Sequence, residues 1–260
     1  PGFTNRMLSR FVDRVALGYE EAAPHFPVRD KLVVTGNPVR PAICDMDRAS
    51  GAHRMGLNPG LKTVLIFGAS QGARSINQAV LDAVPDLAGL DAQFLFATGK
   101  GGFEPFLKAC AERGYGLREA KGGAYAIGNL RVLSYIYDMP AALAASDLVV
   151  ARAGAGSIAE FCARGLPAVL VPYPFAADNH QEKNARVLEA RGAAVVVEDA
   201  RFDAAALVET VGGLLADGRR LRRMAEASAA LGRPGAVWDI VALIEGLVAR
   251  KSPGEGPRSR

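Results

Sequence analysis

The sequence predicts an α/β fold in which a parallel β-sheet is covered by helices on both faces. Apolar runs such as Thr63–Phe67 and Asp147–Val150 show no alternation with polar residues, which is typical of strands buried on two sides. Amphipathic segments separate these runs along the chain, as in consecutive β-α-β units. The chain has 260 residues, half of them hydrophobic, which is enough for one large domain or for one domain with part of another.

The first elements precede a predicted linker. We predict a helix over residues 4–12 and strands over residues 14–19 and 31–35. Residues 37–45 contain two prolines and are predicted to be a linker.

After the linker, predicted strands and helices alternate. The strands are residues 63–67, 93–97, 131–135, 147–150, 168–171 and 194–197, and the helices are residues 73–84, 103–113, 139–145, 158–163, 181–190, 203–216, 219–230 and 236–248. The tail over residues 251–260 is rich in proline, glycine, serine and arginine, and we expect it to be disordered.

Composition excludes several classes of function. The net charge of +4 mildly favours an anionic ligand or membrane surface but is too small to indicate nucleic-acid binding. Cys44, Cys110 and Cys162 form no CxxC pair, as expected of reduced thiols, and three histidines predict no metal site. We find no signal peptide and no apolar run near the roughly 18 residues of a membrane span. The sequence does not begin with methionine, and we expect a missing N-terminal segment.

A glycine-rich turn over Ala151–Glu160 is the most informative motif. It follows a buried strand and enters a predicted helix, so the free N–H groups and the positive dipole end of that helix face its surroundings. Gly154 and Gly156 allow a ligand to approach the backbone closely. Glu160 lies one turn into the helix, where it can meet sugar hydroxyls. The motif predicts an anion site.

Two other interpretations of this turn remain open. Gly154–Ala159 fits the G-x-G-x-x-A pattern of dinucleotide-binding folds. That fold also requires an acidic residue at the end of the next strand, whereas this strand runs into Pro172–Pro174. The turn could also serve chain geometry alone.

Further loops fall at the same predicted sheet edge. Gly68–Ala73 joins a strand to a helix without the G-K-[ST] ending of a P-loop, and Ser70 fits either a phosphate donor or a plain helix cap. Gly99–Gly102 resembles a flexible turn. Because ligands bind at the carboxyl ends of parallel strands, residues 68–72, 134–138 and 151–157 are expected to share one site.

Two charged segments have alternative explanations. Asp178–Asn184 opens a helix with many hydrogen-bonding side chains, which could cap that helix or bind a ligand. Gly218–Arg223 is a solvated helix face or a membrane-contacting segment.

Taken together and in order, five motifs closely resemble the MurG family of bacterial cell-wall N-acetylglucosamine transferases. The motifs are Thr35–Arg40, Gly68–Arg74, Ser134–Met139, Arg152–Glu160 and Asp178–Gln181. The resemblance runs from Pro1 to about Val248. It implies an α/β fold of glycosyltransferase B type, in which two Rossmann-like domains face a cleft.

The resemblance also implies a domain division. Residues 1–36 would be the C-terminal part of the acceptor-side domain, and residues 37–235 the domain that binds the UDP-sugar donor. Residues 236–250 would form a helix that crosses back to the N-domain.

Site residues carry over by matching position. Arg40 and Ser70 would line the diphosphate and sugar, Ile136 would lie against the uracil, and Gln181 would contact the donor sugar. The nucleotide would be wrapped by residues 155–160, with Glu160 on the ribose. These six residues are Ala155, Gly156, Ser157, Ile158, Ala159 and Glu160. Gln71 and His180 are weaker candidates.

The implied reaction is inverting transfer of N-acetylglucosamine from its UDP donor to a muramyl-pentapeptide on undecaprenyl diphosphate. It would serve peptidoglycan synthesis, with no cofactor, metal or nucleic acid, on the cytoplasmic face of the bacterial plasma membrane. The family's N-terminal loop with its histidine base is absent, so we expect weak donor binding and no turnover by this polypeptide alone. The alternatives are a UDP-sugar-binding subunit and a related UDP-N-acetylglucosamine epimerase.

Overall fold

The structure is a computed structural model that describes residues 2–69 and 71–251. The chain divides into two compact units. Unit 1 consists of residues 1–39 and 233–260, and unit 2 of residues 40–232. Elements are numbered below in chain order.

Unit 1 contains a small parallel sheet and two helices. Its elements are α1 (Phe3–Leu8), β1 (Val15–Leu17), β2 (Leu32–Val34) and α11 (Ala236–Lys251). The strands pair in parallel, with Val15 opposite Leu32. Helix α1 ends earlier than the predicted residue 12, where the Ser9 hydroxyl donates to the Arg6 carbonyl oxygen over 2.6 Å.

Unit 2 holds the main sheet and its covering helices. Its strands are β3 (Thr63–Phe67), β4 (Gln93–Ala97), β5 (Arg118–Ala120), β6 (Ala124–Ile127), β7 (Leu130–Leu133), β8 (Leu148–Ala151), β9 (Ala168–Leu170) and β10 (Ala194–Val196). Its helices are α2 (Pro41–Asp45), α3 (Arg48–Met55), α4 (Arg74–Leu87), α5 (Phe103–Glu112), α6 (Met139–Ala145), α7 (Ala155–Ala163), α8 (His180–Ala190), α9 (Ala204–Ala216) and α10 (Gly218–Leu231).

The eight strands of unit 2 lie in the order β10-β9-β8-β3-β4-β7-β6-β5. The pairings from β10 to β7 are parallel. Every residue of β3, β4, β8 and β9 is buried, so helices cover both faces of this part of the sheet. The predicted α/β fold with its parallel sheet is confirmed for these strands.

One end of the sheet departs from the prediction. Strands β5 and β6 form a hairpin that continues the sheet from β7 in antiparallel pairing. No strand is predicted there from the sequence, because these strands are short and β5 has no buried residue. A half-exposed edge hairpin lacks the continuous apolar run that marks the central strands.

The predicted linker is also partly helical. Helix α2 begins at Pro41 in its first turn, where proline's fixed φ suits a helix and its missing N–H costs nothing. The following helix α3 is capped by Asp47, whose side chain accepts a hydrogen bond from the Ser50 N–H over 2.9 Å. Pro41 therefore starts a helix instead of excluding one.

One stretch of the described chain, residues 218–250, is long and apolar enough by composition to pass as a membrane span, contrary to the sequence expectation. It consists of α10 and α11, which have 14 and 16 residues and are interrupted after Leu231. Each helix is shorter than the roughly 20 residues that cross a bilayer. The predicted disorder of the tail falls on residues 252–260, outside the described residues.

Candidate active site

The loops predicted to share a site do meet at one edge of the sheet. Strand β8 pairs with β3, β3 with β4 and β4 with β7, all in parallel. The segments that follow β3, β7 and β8 therefore leave the same carboxyl edge, where open α/β sheets bind ligands.

Helix α7 begins at this edge. Gly154 is its N-cap residue and, as a glycine, supplies no side-chain cap. Apart from its chain neighbours and its own helix, a β-carbon added at Gly154 or at Gly156 would meet no atom of the described residues within 4 Å. Neither residue has a positive φ. The space, and not backbone strain, distinguishes these two positions, as expected where a ligand approaches the main chain.

The predicted wrapping residues of α7 differ in what they expose. Gly156 is exposed, and Ala155, Ser157, Ala159 and Glu160 are half-buried. Ile158 is fully buried, so its side chain belongs to the interior of the protein.

Arg40 and Glu160 contact each other. The Arg40 Nη2 donates to Glu160 Oε1 over 3.3 Å, and both side chains reach solvent. The structure thus brings together the residues predicted for the diphosphate and for the ribose. An exposed pair of this kind adds about 0–1 kcal/mol, so a ligand can displace it at small cost.

Gln181 is tied to the backbone of the glycine-rich turn. Its Oε1 accepts hydrogen bonds from the Ala153 N–H over 3.2 Å and from the Tyr173 N–H over 3.0 Å. Asn184 donates from Nδ2 to the Ala153 carbonyl oxygen over 3.1 Å. The amide oxygen of Gln181 is therefore engaged, and its NH₂ group is the part left for a ligand.

The entry into α8 is strained. Asp178 and Asn179 are the two non-glycine residues with positive φ in the described chain, at 52° and 51°. Such conformations cluster at ligand-binding sites. His180 follows at the start of α8, where its Nδ1 lies 2.7 Å from the Ala177 carbonyl oxygen. This contact uses one ring nitrogen of the only candidate histidine.

The loop after β3 packs tightly against the loop after β4. Gly72 has a φ of 83°, and a β-carbon there would lie 2.0 Å from the Thr98 carbonyl oxygen. Gly99 has a φ of 79°, and a β-carbon there would lie 2.1 Å from the Gly72 nitrogen. Ser70 lies outside the described residues. Gln71 is exposed and lines a cavity of about 390 Å³ together with Arg74 and Asn77.

The loop after β7 combines a buried and an exposed residue. Ile136 is 5% exposed, so its side chain belongs mainly to the interior, whereas the adjacent Tyr137 is 78% exposed. The Lys100 ammonium lies 5.6 Å from the Tyr135 ring centroid and 6.0 Å from that of Tyr137. The predicted flexible turn at residues 99–102 therefore carries a cation held beside two aromatic rings.

Arg152 lies within one of the five motifs but is not among the predicted site residues. It is 8% exposed at the end of β8, and its guanidinium contacts Asp199, Ser75 and two main-chain carbonyls. An arginine directly after a fully apolar strand is the signal that could have indicated it, because a buried cation requires several partners.

Burial also affects a thiol in α7. Burial raises the pKa of Cys162 to about 11, which keeps it protonated at neutral pH. Among the described residues, no group of three or more His, Cys, Asp or Glu side chains is arranged to hold a metal ion.

Three loops and a helix N-terminus at the carboxyl edge of a parallel sheet form the arrangement in which open α/β folds bind nucleotides. The chain belongs to the family described as glycosyltransferase family 28 C-terminal domain, whose model matches residues 63–238. The fold is thus of the glycosyltransferase B type.

Similar curated proteins carry one description. UDP-N-acetylglucosamine--N-acetylmuramyl-(pentapeptide) pyrophosphoryl-undecaprenol N-acetylglucosamine transferases from Desulforamulus reducens and Moorella thermoacetica are 39% and 46% identical over 252 and 245 residues. The matches cover 96% and 94% of this chain, which spans 66% and 64% of those relatives. The resemblance to the MurG family is confirmed.

Solved structures agree with this family. MurG from Acinetobacter baumannii superposes with a TM-score of 0.69 at 29% identity, covering 94% of this chain and 64% of that chain. A putative UDP-N-acetylglucosamine 2-epimerase from Listeria monocytogenes has a TM-score of 0.65 at 15% identity, and the match covers 96% of this chain and 64% of that chain. The latter similarity shows the fold alone.

Proposed function

We propose that this chain binds UDP-N-acetylglucosamine and supplies the donor side of an inverting N-acetylglucosaminyltransferase. The acceptor would be N-acetylmuramyl-pentapeptide on undecaprenyl diphosphate, and the product would serve peptidoglycan synthesis. The observation that carries the proposal is the space beside Gly154 and Gly156 at the N-terminus of α7, on the carboxyl edge of the sheet. The names of the similar curated proteins supply the substrates.

In this proposal the diphosphate lies at the N-terminus of α7. The helix dipole contributes about 0.3–1 kcal/mol to binding of an anion there. Arg40, which contacts Glu160 of the same helix, would contribute a charged hydrogen bond of about 1.5–3 kcal/mol. During transfer, negative charge builds on the departing diphosphate, and the same groups stabilise that charge.

Glu160 and Gln181 would contact the sugars. The ribose hydroxyls would displace the Arg40 guanidinium from Glu160, which frees Arg40 for the diphosphate. Gln181 would donate from its NH₂ group to a hydroxyl of the N-acetylglucosamine, since its oxygen already accepts two N–H bonds. Ile136 would frame the uracil through its backbone and its small exposed edge. Gln71 would approach the sugar nucleotide from the loop after β3.

We infer that the chain contains parts of two domains. Residues 37–235 would form the donor domain, residues 1–36 part of the acceptor-side domain, and residues 236–250 a helix returning to it. An inverting displacement also needs a general base near the acceptor hydroxyl. We assign that role to none of the described residues.

Calorimetric titration tests donor binding. We expect UDP and UDP-N-acetylglucosamine to bind and NAD to give no heat at the same concentrations. Binding of NAD with no response to UDP would contradict the proposal and favour a dinucleotide site.

We also propose that the protein associates peripherally with the cytoplasmic face of the plasma membrane. A surface of unit 1 combines the exposed Phe3 and Met7 with Arg6 and Arg10 around a cavity of about 590 Å³. Apolar and basic side chains together favour an anionic lipid surface.

Vesicle sedimentation tests this association. Vesicles with one third phosphatidylglycerol should retain the protein at low salt, and Arg6→Glu with Arg10→Glu should release it. Equal retention of the double variant would contradict this surface as the contact.

A further inference from the structure

We propose that Arg152 is a positioning residue that holds the glycine-rich turn in the arrangement that binds a diphosphate. This inference rests on the proposed function, because it concerns the same site. Arg152 directly precedes Ala153 and Gly154, and its side chain turns into the protein interior. It acts on the ligand through the backbone that it fixes.

The first contacts of Arg152 join two strand ends. Its Nη1 donates to the carbonyl oxygens of Val171 over 3.0 Å and of Pro172 over 3.2 Å. Both carbonyls belong to the chain that leaves β9. The side chain thereby fixes the exit of β9 against the exit of β8.

The second contacts join a helix and a turn. Arg152 donates to Asp199 Oδ1 over 2.5 Å and to the Ser75 hydroxyl over 3.1 Å. Ser75, in the first turn of α4, donates in turn to Asp199 Oδ1 over 2.5 Å. Asp199 balances the buried charge of the arginine, which otherwise would be costly.

The third contact connects Arg152 with Gln181. The guanidinium carbon lies 5.5 Å from the ring centroid of Tyr173. The N–H of Tyr173 donates to Gln181 Oε1, which also accepts the N–H of Ala153. A continuous set of contacts therefore runs from Arg152 around the turn and back to the residue that follows it.

These contacts require a guanidinium. Its planar group donates in several fixed directions at once, whereas the ammonium of a lysine is a point charge on a flexible stem. The main-chain carbonyls and side chains that Arg152 contacts hold its guanidinium in one orientation. This arrangement is what a positioning residue needs, since the binding geometry is set in advance.

Arg164 provides a matched control at the other end of the same helix. Its Nη1 also donates to two main-chain carbonyls, those of Cys44 over 2.9 Å and Met46 over 3.0 Å. It follows the last residue of α7 and so lies away from the N-terminus that we assign to the diphosphate. Both arginines bond two main-chain carbonyls, but Arg152 also contacts Asp199 and Ser75, and only Arg152 is adjacent to the turn.

The test compares UDP binding with folding in the variants Arg152→Met, Arg152→Lys and Arg164→Met of the same polypeptide. We expect the Kd for UDP to rise about tenfold in Arg152→Met, because small displacements of binding groups are costly, and to recover only in part in Arg152→Lys. Arg164→Met should lower stability to urea without changing the Kd. An unchanged Kd in a folded Arg152→Met, or equal losses in both methionine variants, would overturn the inference.

Two further measurements separate this inference from the proposed function. Asp199→Asn is a milder variant that keeps an acceptor oxygen, and it should raise the Kd less than Arg152→Met does. Hydrogen exchange of the Ala153 amide should accelerate in Arg152→Met and not in Arg164→Met. If the unchanged protein binds no UDP, the proposed function fails, while the exchange result still decides whether Arg152 holds the turn; unaltered exchange would overturn that role.

Discussion

At the scale of residues, the two side chains predicted to hold one nucleotide bind each other. Arg40 and Glu160 lie 3.3 Å apart and are accessible from solvent. A weak exposed pair keeps both groups near their binding positions without a large barrier to exchange. Gln181 differs, because its oxygen is committed to the backbone and only its NH₂ group can respond to a ligand.

Replacement of Glu160 should weaken nucleotide binding. We expect Glu160→Ala to raise the Kd for UDP about tenfold, in line with the loss of a charged hydrogen bond of about 1.5–3 kcal/mol. Calorimetric titration measures the change. Glu112→Ala, which removes the exposed pair with Lys108, is the control. Unchanged affinity in Glu160→Ala would remove this residue from the ribose.

Two substitutions separate the roles of Gln181. Gln181→Glu keeps an oxygen for the N–H groups of Ala153 and Tyr173, whereas Gln181→Ala leaves both without this partner. We expect both variants to bind UDP-N-acetylglucosamine more weakly, since both lose the NH₂ donor. Only Gln181→Ala should also lose about 1–3 kcal/mol of unfolding free energy in urea. Equal stability of the two variants would contradict the anchoring role.

At the scale of elements, buried apolar runs made the central strands predictable. Strands β3 and β4 and helix α6 have the predicted bounds, and the loops after β3, β7 and β8 meet at the predicted edge. Helix α3 was missed because small residues drive its packing. A β-carbon on Gly51 would lie 2.6 Å from the Ala141 carbonyl oxygen, a closeness that apolar periodicity does not indicate.

The candidate site was predictable where a motif places a residue next to a strand end. The sequence indicated the α7 turn and Glu160 in this way. It did not indicate the Arg152 partners, because Ser75 and Asp199 come from distant segments that only the fold brings together. The burial of Ile136 and Ile158 likewise depends on tertiary packing.

Glycines of two elements should respond differently to a β-carbon. Gly156→Ala should leave stability unchanged or raise it by up to about 1 kcal/mol, since the site is open and helical, while the methyl group weakens UDP binding about tenfold. Gly72→Ala should cost about 2–4 kcal/mol, because of its positive φ and the nearby Thr98 carbonyl. Urea unfolding and calorimetry measure both effects. Wild-type UDP affinity in Gly156→Ala would contradict ligand approach at this glycine.

At the scale of the whole molecule, the described chain carries an eight-stranded sheet in unit 2 and a two-stranded sheet in unit 1. The family match covers residues 63–238, which includes every strand of the large sheet. All of the residues that we propose for nucleotide binding lie in unit 2, which spans residues 40–232. We therefore expect the response to UDP to follow the folding of unit 2.

The three thiols should report that folding. Burial raises the pKa of Cys110 and of Cys162 to about 11, whereas Cys44 is only half-buried. At pH 8, iodoacetamide should label Cys44 in the native protein and all three cysteines in urea, as peptide mass spectrometry can establish. Rapid native labelling of Cys162 would contradict its burial in α7.

The same shifts set a pH dependence. A pKa that is raised on folding contributes stability that is present below the unfolded pKa, here 9.0, and is lost as the pH rises toward about 11. Urea unfolding should therefore show stability falling across this window. Replacement of both buried cysteines by alanine should flatten this part of the curve.

The back-to-back contact of Gly72 and Gly99 has a mechanical consequence. There is no room for even a methyl group between the turns after β3 and β4. A substitution that displaces one of these turns must therefore displace the other as well.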